Sequence, residues 1–279
     1  MLSPVLVRLP VLIRASHPLP CVAVTGLAAA LFAIAGKPLP VCLLGAAAVL
    51  AGQLTIGWSN DLIDAQRDRA AGRQDKPLAV EPESGRQVRL ALGAALVLAV
   101  LLSLALGWRA AALHGVTVAG GWAYNLGLKA TPWSALAYFV AFGALPAIAT
   151  SATPGSKLAP AWTMLAAGLV GVAAHFGNVL PDLPADLAAG VLGLPQRLGA
   201  TGSVLAAIAA LLVAAGVIDV RTGFRNPAAT AIATAAVLVL ALVALGCALR
   251  RPRGQGAFLA TMAAAAVDVA ILAVNHGLG

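Results

Sequence analysis

Apolar stretches recur along nearly the whole chain and are separated by short polar breaks. Each is about 20 residues long, the length that an α-helix needs to cross a bilayer. We therefore expect about nine membrane-spanning helices. Their approximate ranges are 17–36, 39–59, 88–107, 110–128, 132–150, 160–179, 199–218, 228–249 and 256–276.

The composition agrees with this pattern. Of the 279 residues, 61% are hydrophobic and only 10% are charged, whereas about a quarter of the residues in a soluble domain are charged. So few charges could not cover a soluble globule of this size. The sequence predicts an all-α, polytopic integral membrane bundle. Because nothing in it resembles a separate soluble domain, we expect residues 1–279 to form a single transmembrane domain.

The basic residues are divided unevenly between the two sides of this predicted bundle. Of the 18 Lys and Arg residues, five fall on one side and the other 13 on the opposite side. The five are Lys37, Arg109, Lys157, Arg221 and Arg225. The positive-inside rule places the richer side in the cytoplasm. We expect a multi-pass plasma-membrane protein with its N-terminus inside and its C-terminus outside. The net charge of +8 then reflects cytoplasmic loops and does not indicate a nucleic-acid partner.

Half of the ten acidic residues fall in two short segments at the predicted cytoplasmic ends of the second and sixth spans. In the first acidic segment (residues 60–68), Asn60, Asp64 and Asp68 recur at every fourth residue. On a helix they would share one face. Asp61 would lie about 100° around the helix and point elsewhere.

The second acidic segment (residues 178–186) repeats the same spacing with Asn178, Asp182 and Asp186. Here Pro181 and Pro184 should weaken or end the helix. The repeated pattern also hints at an internal duplication of loop and span.

Stacked carboxylates repel one another, and a divalent cation would remove that repulsion. Mg²⁺ prefers oxygen ligands and typically bridges one or two carboxylates to substrate phosphates. Two acidic faces opposite each other would therefore clamp a diphosphate through metal ions. The alternative is a pair of solvated helix ends whose acids pair with Arg67, Arg69, Arg73 and Lys76. The repetition of the pattern on one membrane side favours the metal site.

The two segments resemble the Asp-rich motifs of the UbiA superfamily of membrane prenyltransferases. Three further stretches, residues 73–78, 124–129 and 194–199, resemble other elements of that family, and the likeness extends over residues 14–276. The loop after Asp186 has fewer polar residues than the family pattern, so fewer groups are expected to cap the site there.

The resemblance implies nine helices around a central cavity, with the two acidic segments facing each other at its cytoplasmic mouth. It implies Mg²⁺ as cofactor and an isoprenyl diphosphate as donor. The implied metal ligands are Asn60, Asp64, Asp68, Asn178, Asp182 and Asp186, and the four aspartates among them are the expected catalytic residues. The implied diphosphate ligands are Arg73, Lys76, Tyr124 and Lys129. Asp61 and His175 are further candidates.

We therefore expect Mg²⁺-dependent transfer of a prenyl group to an aromatic or other small or lipophilic acceptor, which the sequence does not identify. A terpene cyclase or a phosphosugar transferase to polyprenyl phosphate would use similar machinery. A transporter is a further alternative, but five acids lie at one face and only Asp268 lies deep in a span. His17 is either the start of the first span or a site contact, and His175 either lines the cavity or belongs to the core.

Overall fold

The computed structural model describes residues 9–153, 155–223, 225–250 and 256–274, and every regular element in these ranges is helical. The predicted all-α fold is thus confirmed. The α-helices are α1 (Leu9–Ala15), α2 (Pro18–Ile34), α3 (Leu39–Ala70), α4 (Pro77–Val80), α5 (Gly85–Ala105), α6 (Trp108–Asn125), α7 (Ser134–Ser151), α8 (Ala161–Val179), α9 (Leu183–Ala188), α10 (Leu194–Thr222), α11 (Pro227–Arg250) and α12 (Gly256–Val274).

The nine long helices coincide with the nine predicted spans. Seven of these regions are long and apolar enough to cross a membrane; α2 is apolar but has 17 residues, and α6 falls below the hydropathy of the others. Large apolar side chains, such as Leu101 on α5 and Leu242 on α11, face outward, as expected where lipid replaces water around a bundle. The last predicted residues of the ninth span, Asn275 and His276, lie outside the described residues.

Helix α3 continues 11 residues past the predicted end at residue 59, through the whole first acidic segment. Nothing between residues 60 and 70 interrupts it. The helix ends because Gly72 adopts a left-handed backbone, with φ of 66°. The backbone N–H of Arg73 then donates to the carbonyl of Asp68 at 3.0 Å, the pattern of a glycine-terminated helix.

The second acidic segment is broken, as its prolines predict. Helix α8 ends at Val179, a 3₁₀ turn covers Leu180–Asp182, and α9 begins at Leu183. Pro181 and Pro184 lack the N–H that a continuous helix would use. Asn178 and Asp186 therefore lie on different helices, and only the first acidic segment forms a continuous helical face.

Helices α7 and α8 approach closely because glycines lie at their contact. A Cβ on Gly171 would lie 2.5 Å from the carbonyl oxygen of Tyr138, and one on Gly143 would lie 3.0 Å from that of Met164. Small residues allow such close packing between membrane helices. This contact fixes the position of α8, whose end carries Asn178 into the bundle.

We predict that Gly171→Ala destabilises the protein by about 1–3 kcal/mol, the usual cost of an overpacked core site, because the new methyl group would press on the backbone of α7. Gly26→Ala is the matched control, since a Cβ there meets nothing within 4 Å. Thermal unfolding in detergent measures both. Equal melting temperatures for Gly171→Ala and the wild type would contradict the close contact.

Candidate active site

A cavity lies between α2, α3, α6, α7, α8 and α12, and together with its open mouth it spans about 1300 Å³ of empty space. Its deeper walls are largely apolar, with Val24, Ile56, Ala141, Phe142 and Ala174 among the lining residues. Residues of both acidic segments line it as well: Asn60, Asp64, Asn178, Asp182 and Asp186. The two segments, which are far apart in sequence, therefore open on the same chamber.

Asp64 is the most heavily contacted carboxylate of the first acidic segment. Asn60 Nδ2 donates to its Oδ2 at 3.2 Å, as their shared helix face requires. The same oxygen accepts from Lys129 Nζ at 2.5 Å and lies 3.0 Å from Arg67 Nη2. Asp64 is only 5% exposed, so these charge-assisted contacts compensate for the loss of water.

Asp68 lies one helical turn beyond Asp64 and is not among the residues lining the cavity. It is 3% exposed, and its Oδ1 lies 3.6 Å from Arg67 Nη2. Its Oδ2 is buried and finds no hydrogen-bond partner among the described residues. A buried oxygen of this kind is free to accept a ligand, since leaving it without a partner is costly.

Asp61 points away from the cavity, as the helical geometry predicts. Its Oδ1 lies 2.9 Å from His17 Nε2 and 3.2 Å from Lys76 Nζ. His17 itself lines the cavity. The sequence left two interpretations open for His17, and both describe its position. It contacts the site, and it immediately precedes the first residue of α2.

In the second acidic segment, each acid has one side-chain partner. Asp182 Oδ1 accepts from Arg73 Nη2 at 2.7 Å, and Asp186 Oδ2 accepts from Gln196 Nε2 at 2.9 Å. Gln196 belongs to α10 and supplies a polar group that the sequence analysis did not foresee on this side. Asn178 Nδ2 donates to the hydroxyl of Tyr138 at 3.2 Å.

Arg73 connects the loop after α3 to the second acidic segment. Its guanidinium also pairs with Asp75 at 2.6 Å. The hydrogen bonds that Arg73 donates to Asp75 and Asp182 raise its pKa, and Arg73 in turn lowers the pKa of Asp75 to about 2. The arginine therefore stays charged and links the two halves of the mouth.

Four basic side chains line the mouth together with three carboxylates. The basic ones are Arg67, Arg73, Lys76 and Lys129. Burial lowers the pKa of Lys129, and Asp64 opposes that effect. Tyr124 also lines the cavity. All four predicted diphosphate ligands, Arg73, Lys76, Tyr124 and Lys129, thus reach the chamber.

His175 belongs to the wall and not to the lining. It is completely buried, its Nε2 lies 3.0 Å from Ser134 Oγ, and its ring packs against Tyr124 and Tyr138 at 5.5 and 4.9 Å between centroids. The structure therefore supports the interpretation of His175 as a core residue that positions the two tyrosines. Asp268, on α12, is likewise buried and is absent from the cavity lining.

Asn125 is a residue of the site that the sequence analysis missed. Its Nδ2 donates to the carbonyl of Ile56 and to Ser59 Oγ, both at 2.8 Å, and its Oδ1 accepts from Asn60 Nδ2 at 3.2 Å. It thereby orients Asn60 towards Asp64. The only signal in the sequence was its place beside Tyr124.

The oxygen-rich donor set fits Mg²⁺. No three His, Cys, Asp or Glu side chains within the described ranges come close enough to hold a metal by themselves. Mg²⁺ typically uses one or two carboxylates, waters and substrate phosphates. The lining amides and carboxylates, together with the unpartnered oxygen of Asp68, match such a site, which a diphosphate would complete.

Comparisons with known proteins support the same fold. The family model described as the UbiA prenyltransferase family matches residues 22–272. A search of curated proteins gave no match.

Three solved structures illustrate the similarity. The apo structure of a UbiA homolog from Aeropyrum pernix K1 is 19% identical, with a TM-score of 0.71 over 91% of this chain and 97% of its own. A UbiA homolog from Archaeoglobus fulgidus bound to GPP and Mg²⁺ is 15% identical, with a TM-score of 0.73 over 95% and 98%. A structure described for digeranylgeranylglyceryl phosphate synthase is 16% identical, with a TM-score of 0.63 over 97% and 98%.

We predict that Asn125→Leu lowers the free energy of unfolding by about 1–3 kcal/mol, because it leaves buried polar groups without partners. Gln66→Leu is the control, since Gln66 is an exposed amide on the same helix as Asn60. Chemical or thermal unfolding in detergent compares the two. A loss of stability no greater than that of the control would show that the Asn125 hydrogen bonds are not needed.

Proposed function

This chain belongs to the UbiA prenyltransferase family, and we propose that it transfers a prenyl group from an isoprenyl diphosphate to an aromatic or other small or lipophilic acceptor within the membrane, with Mg²⁺ as cofactor. One observation carries the proposal: Asp64 and Asp182 line the mouth of one cavity whose depth is apolar. Such a chamber suits a molecule with a charged head and an apolar tail. Two structurally similar structures of a UbiA homolog from Archaeoglobus fulgidus hold GPP and Mg²⁺ or DMAPP and Mg²⁺.

We assign the metal-binding role to Asn60, Asp64, Asp68, Asn178, Asp182 and Asp186, and the binding of diphosphate oxygens to Arg73, Lys76, Tyr124 and Lys129. Nine of these ten residues line the same cavity. The tenth, Asp68, offers the buried oxygen without a partner. Asp61 is left out of the metal site because its carboxylate faces His17 and Lys76.

The chemistry follows from where charge develops. When the C–O bond of an allylic diphosphate breaks, negative charge grows on the leaving group, and bound Mg²⁺ would neutralise part of it. Arg73 and Lys129 can donate hydrogen bonds to the same oxygens. The apolar walls around Ile56 and Phe142 exclude water, which would otherwise capture the allylic cation. The acceptor then supplies the electron pair for the new bond.

We propose a cytoplasmic active site, with the N-terminus inside, the C-terminus outside and residues 1–279 as one domain of a plasma-membrane protein. The distribution of basic residues supports this orientation. Lys76 and Lys129 lie at the mouth with both acidic segments, whereas Lys157 follows α7 at the other end of that helix.

The proposal is tested with purified protein and radiolabelled donors of several lengths, including DMAPP and GPP, with Mg²⁺ or EDTA. The acceptor panel comprises 4-hydroxybenzoate, 1,4-dihydroxy-2-naphthoate and a geranylgeranylated glycerol phosphate, representing phenols, naphthols and alcohols. We expect a prenylated product only with Mg²⁺. A hydrocarbon formed without any acceptor would indicate a cyclase, and solute flux without diphosphate release would indicate a transporter.

We predict that Asp64→Asn lowers the rate of diphosphate release by about 10²–10³-fold, the usual loss when one charge-stabilising group is removed. The amide keeps the shape but loses the charge that would hold a metal. Glu83→Gln is the control, because Glu83 is an exposed acid outside the cavity lining. Diphosphate release from GPP measures both variants. Full activity of Asp64→Asn would refute the assignment.

Two carboxylates of the cavity mouth form ion pairs with basic side chains of the chain itself. Lys129 pairs with Asp64 and Arg73 pairs with Asp182. Lys129 Nζ and a metal would compete for Asp64 Oδ2, and a diphosphate oxygen could accept the hydrogen bond of Lys129 instead. We therefore propose that donor and metal bind together, because a metal alone would compete with these internal ion pairs.

We predict that Lys129→Met binds Mn²⁺ about tenfold more tightly in the absence of donor, which corresponds to roughly 1.4 kcal/mol, and binds GPP more weakly. Lys157→Met is the control, since Lys157 is an exposed lysine outside the cavity. Electron paramagnetic resonance of free Mn²⁺ gives the metal affinity. An unchanged Mn²⁺ affinity would show that Lys129 does not compete for the site.

A further inference from the structure

His17 has an unusual backbone. Its φ is 53°, and among the residues that the structure describes it is the only non-glycine residue with a positive φ. L-residues avoid this left-handed region. Residues held there persist only when their surroundings fix them, and they cluster at functional sites. In this chain the strained position immediately precedes Pro18, the first residue of α2.

Asp61 and Lys76 are the side chains that contact the His17 ring. His17 Nε2 lies 2.9 Å from Asp61 Oδ1, and Lys76 Nζ lies 3.2 Å from the same oxygen and 3.3 Å from Nε2. Lys76 also donates to Asn60 Oδ1 at 3.3 Å. Asp61 is 1% exposed and lies behind the lining, whereas the His17 side chain is 34% exposed and lines the cavity.

These contacts involve one ring nitrogen of His17, Nε2, and leave Nδ1 for the acceptor. Asp61 Oδ1 is the nearer neighbour of Nε2, at 2.9 Å against 3.3 Å for Lys76 Nζ, and it also accepts from Lys76, so we assign the Nε2 hydrogen to the contact with Asp61. The other ring nitrogen, Nδ1, is then an acceptor. A buried carboxylate that fixes one tautomer of a cavity-facing imidazole is the arrangement by which proteins orient a general base.

The reaction needs such a base near the mouth. The donor carbon that becomes cationic is bonded to the diphosphate, so the acceptor must approach close to the acidic segments. The cavity carboxylates there already have partners: Asp64 has Lys129, Asp182 has Arg73 and Asp186 has Gln196. Among the residues that the structure describes, the side-chain hydrogen bonds of His17 involve Nε2 and not Nδ1.

We propose that His17 is a catalytic residue that accepts the proton lost by the prenyl acceptor, and that Asp61 is its positioning residue. The inference rests on the proposed prenyl transfer. The donor C–O bond breaks and its electron pair leaves with the diphosphate. An electron pair of the acceptor forms the new bond to the prenyl carbon, and the acceptor's proton passes to Nδ1 of His17.

The kinetic test uses His17→Asn, because asparagine tolerates the left-handed backbone but cannot act as an imidazole base. The probes are GPP, Mg²⁺ and the panel acceptor that the wild type uses fastest. We expect kcat/KM for the acceptor to fall about 10²–10⁴-fold, with a much smaller change in KM for GPP because His17 also contacts Lys76. The loss of rate at low pH, expected when an imidazole is the base, should disappear in the variant.

Two further variants separate catalysis from packing. Asp61→Asn should keep the fold, lower acceptor kcat/KM less than His17→Asn and shift the pH profile. Arg14→Gln should behave as the wild type, because Arg14 is exposed and outside the cavity lining. A wild-type pH profile and acceptor kcat/KM in His17→Asn would overturn the role of His17.

Nitrogen NMR of protein with ¹⁵N-labelled histidine gives a readout that needs no acceptor. The chain has four histidines, so the signals lost in His17→Asn identify this one. We expect a protonated Nε2 and an unprotonated Nδ1, with that preference weakened in Asp61→Asn. The opposite tautomer would overturn the role of His17 but would leave the proposed prenyl transfer standing. A wild type that releases no diphosphate from GPP with Mg²⁺ would instead overturn the proposed function, and the inference with it.

Discussion

Buried carboxylates remain ionised only where positive charge balances them, and this constraint organises the mouth of the cavity. The acids of the first segment are buried, and those of the second segment are partly buried at the same mouth. Basic side chains of the chain itself supply this balance, because Lys129 pairs with Asp64 and Arg73 pairs with Asp182. At each such ion pair, a metal could bind the carboxylate and a diphosphate could bind the basic side chain.

The bundle keeps this charged mouth apart from an apolar interior. Helix α3 presents the first acidic segment on an unbroken face, so Asn60 and Asp64 are held in fixed register. The second acidic segment bends at its prolines. Its polar side chains form hydrogen bonds with Tyr138, Arg73 and Gln196, which belong to other parts of the chain. One side of the mouth is thus fixed by its own helix, and the other depends on its neighbours.

Much of the fold could be predicted from the sequence, because span length and hydropathy are local properties that a bilayer selects strongly. The spacing of Asn60, Asp64 and Asp68 also identified the first acidic segment. Helix α3 extends beyond the predicted span because its end depends on the left-handed Gly72, whereas the apolar character that defines the span fades earlier. The broken second segment was foreseen because the missing N–H of a proline is a local fact.

The partners of the site residues could not be predicted. Lys129 meets Asp64 and Asn125 meets Asn60 only because α3 and α6 pack together, and no local pattern encodes such a contact. The same is true of His17, whose ring reaches Asp61 through a strained backbone. The alternative in which the acids pair with neighbouring cations was partly correct, since Arg67 and Arg73 do pair with them.

The most direct test of the central claim is a structure of the protein with Mn²⁺ and a geranyl thiolodiphosphate, whose sulfur ester ionises slowly. Anomalous scattering would locate the metal. We expect Mn²⁺ beside Asp64 and beside Asp182 or Asp186, joined by one diphosphate, with the prenyl tail among the apolar walls. A diphosphate held by one acidic segment alone, or metal sites outside the cavity, would contradict the account.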